Sequence, residues 1–210
     1  MVWKKLLGSA AVLATTVALV SMAVATQGVG DKKGKLPPQY DADGMKRWQA
    51  TTSLDFHHEK LGDWIGKWET ESRMWMEGND KPPSTEKGTA ECSWLMEGRW
   101  LKIETGGPFM GMQVKGFGVL GFDRYKSKYV GTWCDSWNTT LLNFEGNFDH
   151  TDKALFLYGT MDEPMSNEHD KHVKYVWRLV DKDHLVFEIH DLAIGEGNTK
   201  VIEIGYTRKK

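Results

Sequence analysis

The chain lacks the compact signatures of several well-known catalytic centres: H-E-x-x-H, C-x-x-C, the P-loop and G-x-S-x-G are all missing from its 210 residues. Their absence removes the motif-based routes to a metalloprotease, a thiol–disulfide exchanger, a nucleotide hydrolase and a serine hydrolase. Positive charge is not in excess either. Lys and Arg number 27 against 29 Asp and Glu, and a chain with this balance offers nucleic acid no electrostatic footprint. Cysteine is scarce, with only Cys92 and Cys134. An even pair permits one disulfide in an oxidising compartment, or two buried thiols acting as small hydrophobes on neighbouring strands, and spacing alone leaves both open.

What the N-terminus does contain is an export pattern. Lys4 and Lys5 form a positive start, Leu6 to Val20 is apolar, and Ala23-Val24-Ala25 supplies a small-x-small site, so we expect a signal peptide cleaved after Ala25 and a secreted or periplasmic protein. The rival is an uncleaved anchor, since Leu6 to Ala25 just reaches the roughly 20 residues that span a bilayer. Its Ala, Ser and Thr content makes it a weak span, and with no Cys nearby a lipoprotein anchor is excluded, so no stable membrane anchor is expected. Loss of residues 1–25 leaves 185 residues with 25 basic and 29 acidic side chains. Residues 26–40 (TQGVGDKKGKLPPQY) are Gly, Lys and Pro rich and read as a flexible linker. Residues 41–210 are one domain's worth of chain.

Two short helices are expected first, around Gly44 to Thr51 and from Asp55, an N-cap, through the spacing Phe56, Leu61, Ile65. After Gly66 the period becomes two: Trp68, Thr70, Ser72, Met74 and Met76 share one face, and Glu69, Glu71, Arg73 and Trp75 the other. Strand-like runs follow at Lys87–Leu95, Trp100–Thr105, Gln113–Phe122, Lys128–Trp137, Thr139–Phe148, Ala154–Thr160, His172–Val180, His184–His190 and Thr199–Arg208. Gly, Asp and Asn turn signals separate them, among them Gly195-Glu196-Gly197-Asn198. About ten consecutive antiparallel strands with short connections close on themselves to remove their edges, giving a mainly β, up-and-down barrel preceded by one or two short helices.

Such a barrel either fills its interior with side chains or holds a ligand there. Nine Trp residues follow the signal, and Trp suits places where an apolar body needs a polar handle. Trp94, Trp100, Trp133, Trp137 and Trp177 lie on different strands and could line one cavity, with Met74 as an adaptable wall or simply a filler of core gaps. Carboxylates and an arginine punctuate runs that otherwise read as buried: Asp135, Glu145, Arg178 and Glu203. An interior Arg178 pairing with Glu203 or Asp135 would satisfy both partners and orient a ligand's polar end, or serve as acid–base groups; the alternative is that several simply face outward.

Other motifs carry less. Gly116-Phe117-Gly118-Val119-Leu120-Gly121 matches G-x-G-x-x-G but sits within a strand rather than opening a helix, so it is not a dinucleotide site. His169-Asp170-Lys171-His172, after Asp162, Glu163 and Glu168, reads as a solvated polar loop rather than a metal site, and His57-His58 points to two sides of a helix. His184 and His190 fall opposite Leu185, Phe187 and Ile189, so neither is placed to ligate a haem inside the barrel.

Gly66-Lys67-Trp68, entering the first strand after a short helix, resembles the G-x-W motif of lipocalin-like (calycin) barrels, and Tyr206-Thr207-Arg208 ends the last strand. The resemblance implies a structural pair, with the Arg208 guanidinium packed over Trp68 at the barrel floor. Across residues 41–208 the order of Gly66-Lys67-Trp68-Glu69, Met74-Trp75-Met76, Gly98-Arg99-Trp100-Leu101, Gly116 to Asp123, Tyr129 to Ser136 and Glu203 to Arg208 is similar to the bacterial domain of unknown function family 1579. That likeness implies the barrel and brings no activity, metal or cofactor; Cys134 stands where an aliphatic residue is expected before Asp135. The leading expectation is an exported lipocalin-like barrel binding a small, largely apolar molecule, with Met74, Trp133, Asp135, Arg178 and Glu203 as candidate lining residues. An enzyme using the same carboxylates and a filled barrel acting as an interaction module remain as alternatives.

Overall fold

The computed structural model describes residues 41–78, 80–192 and 199–210. The expected signal peptide, the expected linker and the turn at residues 195–198 lie outside the described residues. Helix α1 spans Ala42–Ala50 and α2 spans Phe56–Lys60, followed by a 3-10 turn over Leu61–Trp64. Asp55 caps α2 reciprocally: its carboxylate accepts the His57 backbone N–H at 3.0 Å, and the His58 ring returns to the Asp55 backbone N–H at 3.2 Å.

Ten strands follow: β1 (Gly66–Met74), β2 (Ser84–Leu95), β3 (Trp100–Phe109), β4 (Met112–Asp123), β5 (Lys128–Asp135), β6 (Leu142–Phe148), β7 (Ala154–Glu163), β8 (Glu168–Asp181), β9 (His184–Asp191) and β10 (Thr199–Arg208). Each pairs antiparallel with its neighbours in sequence, and β1 pairs with β10, so the sheet closes as an up-and-down barrel. Alternation therefore located every strand. Several boundaries differ from the expected runs: β2 starts earlier, β3 and β7 run on longer and β6 starts later, and two further differences have a clear cause. β5 stops at Asp135 because that side chain accepts the backbone N–H groups of Trp137 and Asn138, turning the chain before β6. β8 begins at Glu168, so the polar His169–His172 segment is strand rather than loop, paired with β7 through Met161↔Lys171 and Thr160↔His172.

The two ends of the barrel are built differently. At the end where β1 begins, the 3-10 turn inserts Leu61 and Trp64 beneath Leu101, Leu120, Leu155 and Leu185, all essentially without solvent contact. Trp64 stacks on Trp177 at 4.9 Å, and Tyr129 meets Phe122 and Phe148 edge-on. Trp68 is fully buried and donates its indole N–H to the Trp64 carbonyl at 3.0 Å. The Arg208 guanidinium lies 4.1 Å over the Trp68 ring and donates to the carbonyls of Ile65, Asp63 and Lys182, as the resemblance implied. Gly66, at φ +141°, leaves the space that Arg208 occupies. This end is a floor.

The cysteines do not form a disulfide; both are free. Cys92 shares the inward face of β2 with Ala90, whereas Cys134 follows the inward Trp133 and pairs with exposed Phe117 on the outer face of β5. With opposite orientations and β3 and β4 between them, they cannot meet the Cα separation of about 4.4–6.8 Å that a bridge needs. Burial pushes the Cys92 thiol pKa up to about 12.

Candidate functional site

Toward the opposite end, where β1 finishes, the inward faces change character. Trp133, Phe144, Met161, Ile189 and Ile204 pack against the core yet stay only half-buried. Period-two alternation puts these partly exposed apolar side chains on the inward strand faces at this end. We call it the mouth.

Trp133 is the best-fixed element of that wall. Its ring lies against Gly116 and Gly118 of β4, where a Cβ at either position would collide with it. The G-x-G of the sequence is thus a shelf for an indole, not a phosphate cradle. The Trp133 Nε1–H donates to Asp135 Oδ2 at 3.1 Å, while Asp135 Oδ1 accepts from Trp137 and Asn138. Asp135 is therefore committed to holding the indole and the turn. Met74 faces inward as expected and is buried, but Met76 lies beyond the strand and is exposed.

Arg178 and Glu203 do not line the lumen. Arg178 follows the inward Trp177, and Glu203 lies between Ile202 and Ile204, so alternation places both on the outer face. There Arg178 Nη1 donates to Glu188 Oε1 at 3.0 Å, and Glu203 accepts from Arg73 at 3.1 Å and from Lys200. Neither reaches Asp135. The carboxylate that this outer network buries is Glu188, also approached by His190 Nε2 at 3.1 Å. Burial works against the Glu188 charge, but His190, Arg178 and Lys200 outweigh it and hold its pKa below the usual range. His184 bonds Asp181, so both β9 histidines lie outside, as their spacing indicated. Glu145 is likewise external, bound by Lys126 and Lys128. Of the five tryptophans proposed to share a cavity, Trp133 and Trp177 face inward, Trp177 as part of the floor. Trp94 continues the inward face of β2 at its floor end, beside Gly62, and is partly exposed there; Trp100 covers Gly121 from outside, and Trp137 is exposed.

The inward charges at the mouth are ones the sequence reading passed over. Glu86 pairs with Ser72 in the unbroken β1–β2 register, sharing its face with Thr70 and Ser72. On the far side, Lys171 binds Asp191 at 2.9 Å and Glu168 at 3.4 Å. Burial opposes the Lys171 charge, but those carboxylates outweigh it and raise its pKa. Nearby Tyr175 has its pKa pushed up to about 12 by burial and by the Asp191 charge. Extending the alternation of Ala90 and Cys92 back through Gly88 reaches Glu86, and extending that of Val173 and Tyr175 reaches Lys171. The signal was present, but it lay beyond the apolar runs. Among the described residues no group of three His, Cys, Asp or Glu side chains comes together to hold a metal ion.

Comparison with known proteins agrees on the architecture. The solved structure of Rv2717c from M. tuberculosis matches at 12% identity with a TM-score of 0.53, covering 75% of this chain and all of that one. At this identity the likeness concerns the fold alone. The S-type phycobiliprotein lyase CPES from Guillardia theta matches at 10% identity with a TM-score of 0.49, over 75% of this chain and 99% of that one. No curated protein matches the chain. The family model described as "Protein of unknown function (DUF1579)" matches residues 55–208, from the cap of α2 to the arginine that closes the floor, and the chain belongs to that family.

Proposed function

We propose that this protein is exported and holds a small, largely apolar molecule in the mouth half of its barrel. The observation that carries the reading is the half-buried inward wall of Trp133, Phe144, Met161, Ile189 and Ile204, standing above a floor in which Leu61, Trp64, Trp68, Leu101, Leu155 and Leu185 are fully buried. Solvent-reachable apolar surface on a concave face, with a few polar groups nearby, is the usual make-up of a small-molecule site. Acid–base chemistry draws no support from Asp135, whose oxygens accept three hydrogen bonds, nor from Arg178 and Glu203 on the outer face.

Titration with the neutral apolar fluorophore N-phenyl-1-naphthylamine tests the binding. The expected result is a saturable rise in probe emission with quenching of tryptophan, and weaker quenching in Trp133→Phe; no saturable binding contradicts it. Native mass spectrometry of the protein from its own host tests export: a chain beginning at Thr26 is expected, and one retaining residues 1–25 contradicts cleavage.

A further inference from the structure

Toward the mouth, the inward strand faces carry the charged side chains Glu86, Asp135, Lys171 and Asp191. Three of these have their bonds within the protein already described: Asp135 in its turn, and Lys171 and Asp191 in their pairing, which Glu168 joins. Lys171 is thus opposed by two carboxylates, and the other inward cation, Arg208, is spent on floor carbonyls, so among the described residues the mouth has no free positive charge. Glu86 differs. Its Oε1 accepts the backbone N–H of Gly111, at the β3–β4 turn, at 3.1 Å, whereas its Oε2 is shut from solvent and has no hydrogen-bond partner. A buried carboxylate oxygen without a donor is destabilising, and a donor brought to it recovers that penalty.

From this we infer that the lumen selects amphiphiles whose polar end is a hydrogen-bond donor, a primary ammonium above all, with Glu86 as its acceptor; this rests on the lumen-binding reading above. Glu86 lies two pairs from the Met74↔Ser84 end of the β1–β2 ladder. A head group there sits at the mouth, with its apolar tail running down past Ile204 and Trp133. A carboxylate head meets the opposite situation: like charge at Glu86 and no unpaired cation on the described inner wall. Electrostatic selectivity here comes as much from rejecting the wrong head as from holding the right one.

The test is displacement of bound N-phenyl-1-naphthylamine by dodecylammonium, 1-dodecanol and dodecanoate, each below its micellar concentration at neutral pH. Wild-type protein is expected to bind dodecylammonium at least about tenfold more tightly than dodecanoate, the scale of one charge-assisted hydrogen bond. Glu86→Gln keeps a carbonyl for Gly111 and is expected to reduce that preference to under about threefold. Glu97→Gln, which removes the same charge from a fully solvated site outside the lumen, is expected to leave it unchanged. The inference is overturned if wild-type protein binds dodecanoate as tightly as dodecylammonium, if the preference survives Glu86→Gln, or if Glu97→Gln lowers it equally. Should dodecanol also fail to displace the probe, the binding reading itself falls; should dodecanol and dodecanoate displace it with no preference for the amine, only the assignment of Glu86 falls.

Discussion

The floor and the mouth of this barrel are made from the same ten strands, yet they spend their side chains on opposite tasks. At the floor, Trp64, Trp68, Leu101, Leu155 and Leu185 bury nearly all their surface, and the Trp68 indole and the Arg208 guanidinium have partners in backbone carbonyls. At the mouth Trp133, Phe144, Met161, Ile189 and Ile204 stay half-buried, and one carboxylate oxygen, Glu86 Oε2, lacks a donor. Packing is closer at the floor than at the mouth, the difference that the proposed binding in the mouth requires. Under the proposed function, the contrast sets a rigid base beneath the half that holds the ligand.

Truncation separates the two ends most strongly. Trp68→Ala should cost about 3–5 kcal/mol in urea denaturation, since it empties a fully buried site and removes the surface on which Arg208 stacks. Trp133→Ala, removing an indole that is already half-solvated, should cost about 1–2 kcal/mol. Equal losses would erase the distinction.

A smaller effect is expected from pH. His57 stacks on Phe122 at 3.8 Å beside Tyr129, and burial lowers its pKa below the ordinary value, with the Asp55 charge working the other way. The unfolded chain then takes up this proton first as pH falls, so stability is complete above about pH 6.5 and declines below it. Asp55 moves in the same sense at lower pH. Burial opposes its charge, but bonds from His58 and the His57 backbone hold its pKa down, so its contribution is present above about pH 4 and lost below. His57→Phe should flatten the decline between pH 7 and 5 while leaving the acid limb; an unchanged profile would remove His57 from the floor's electrostatics.

The mildest probe is thiol chemistry. Cys92, inside the barrel with its pKa pushed up to about 12, should resist iodoacetamide in the native protein. Mass spectra taken with and without reductant should coincide. Rapid labelling of Cys92 would mean that the barrel opens near the floor.

Much of this contrast was legible in the sequence. Period-two alternation located all ten strands, put Met74 and Trp133 on inward faces, and the Gly66-Lys67-Trp68 entrance with Arg208 anticipated the floor. What escaped depended on two things that local pattern does not carry. Arg178 and Glu203 were attractive because their runs are apolar, but the apolar neighbours Trp177, Ile202 and Ile204 occupy the interior and leave them outside. Glu86 and Lys171 fell beyond the apolar ends of their runs, where strands continue because a neighbour supplies backbone hydrogen bonds. The cysteine question required the relation between β2 and β5, two strands that do not touch.

The most direct test of an open mouth above a closed floor is to follow the indole N–H resonances of the uniformly nitrogen-15-labelled protein by NMR while adding 1-dodecanol. The account predicts that the Trp133 resonance shifts with a saturable dependence while those of Trp64 and Trp68 stay in place. A static Trp133 resonance, or movement of Trp64 and Trp68 in its stead, would contradict it.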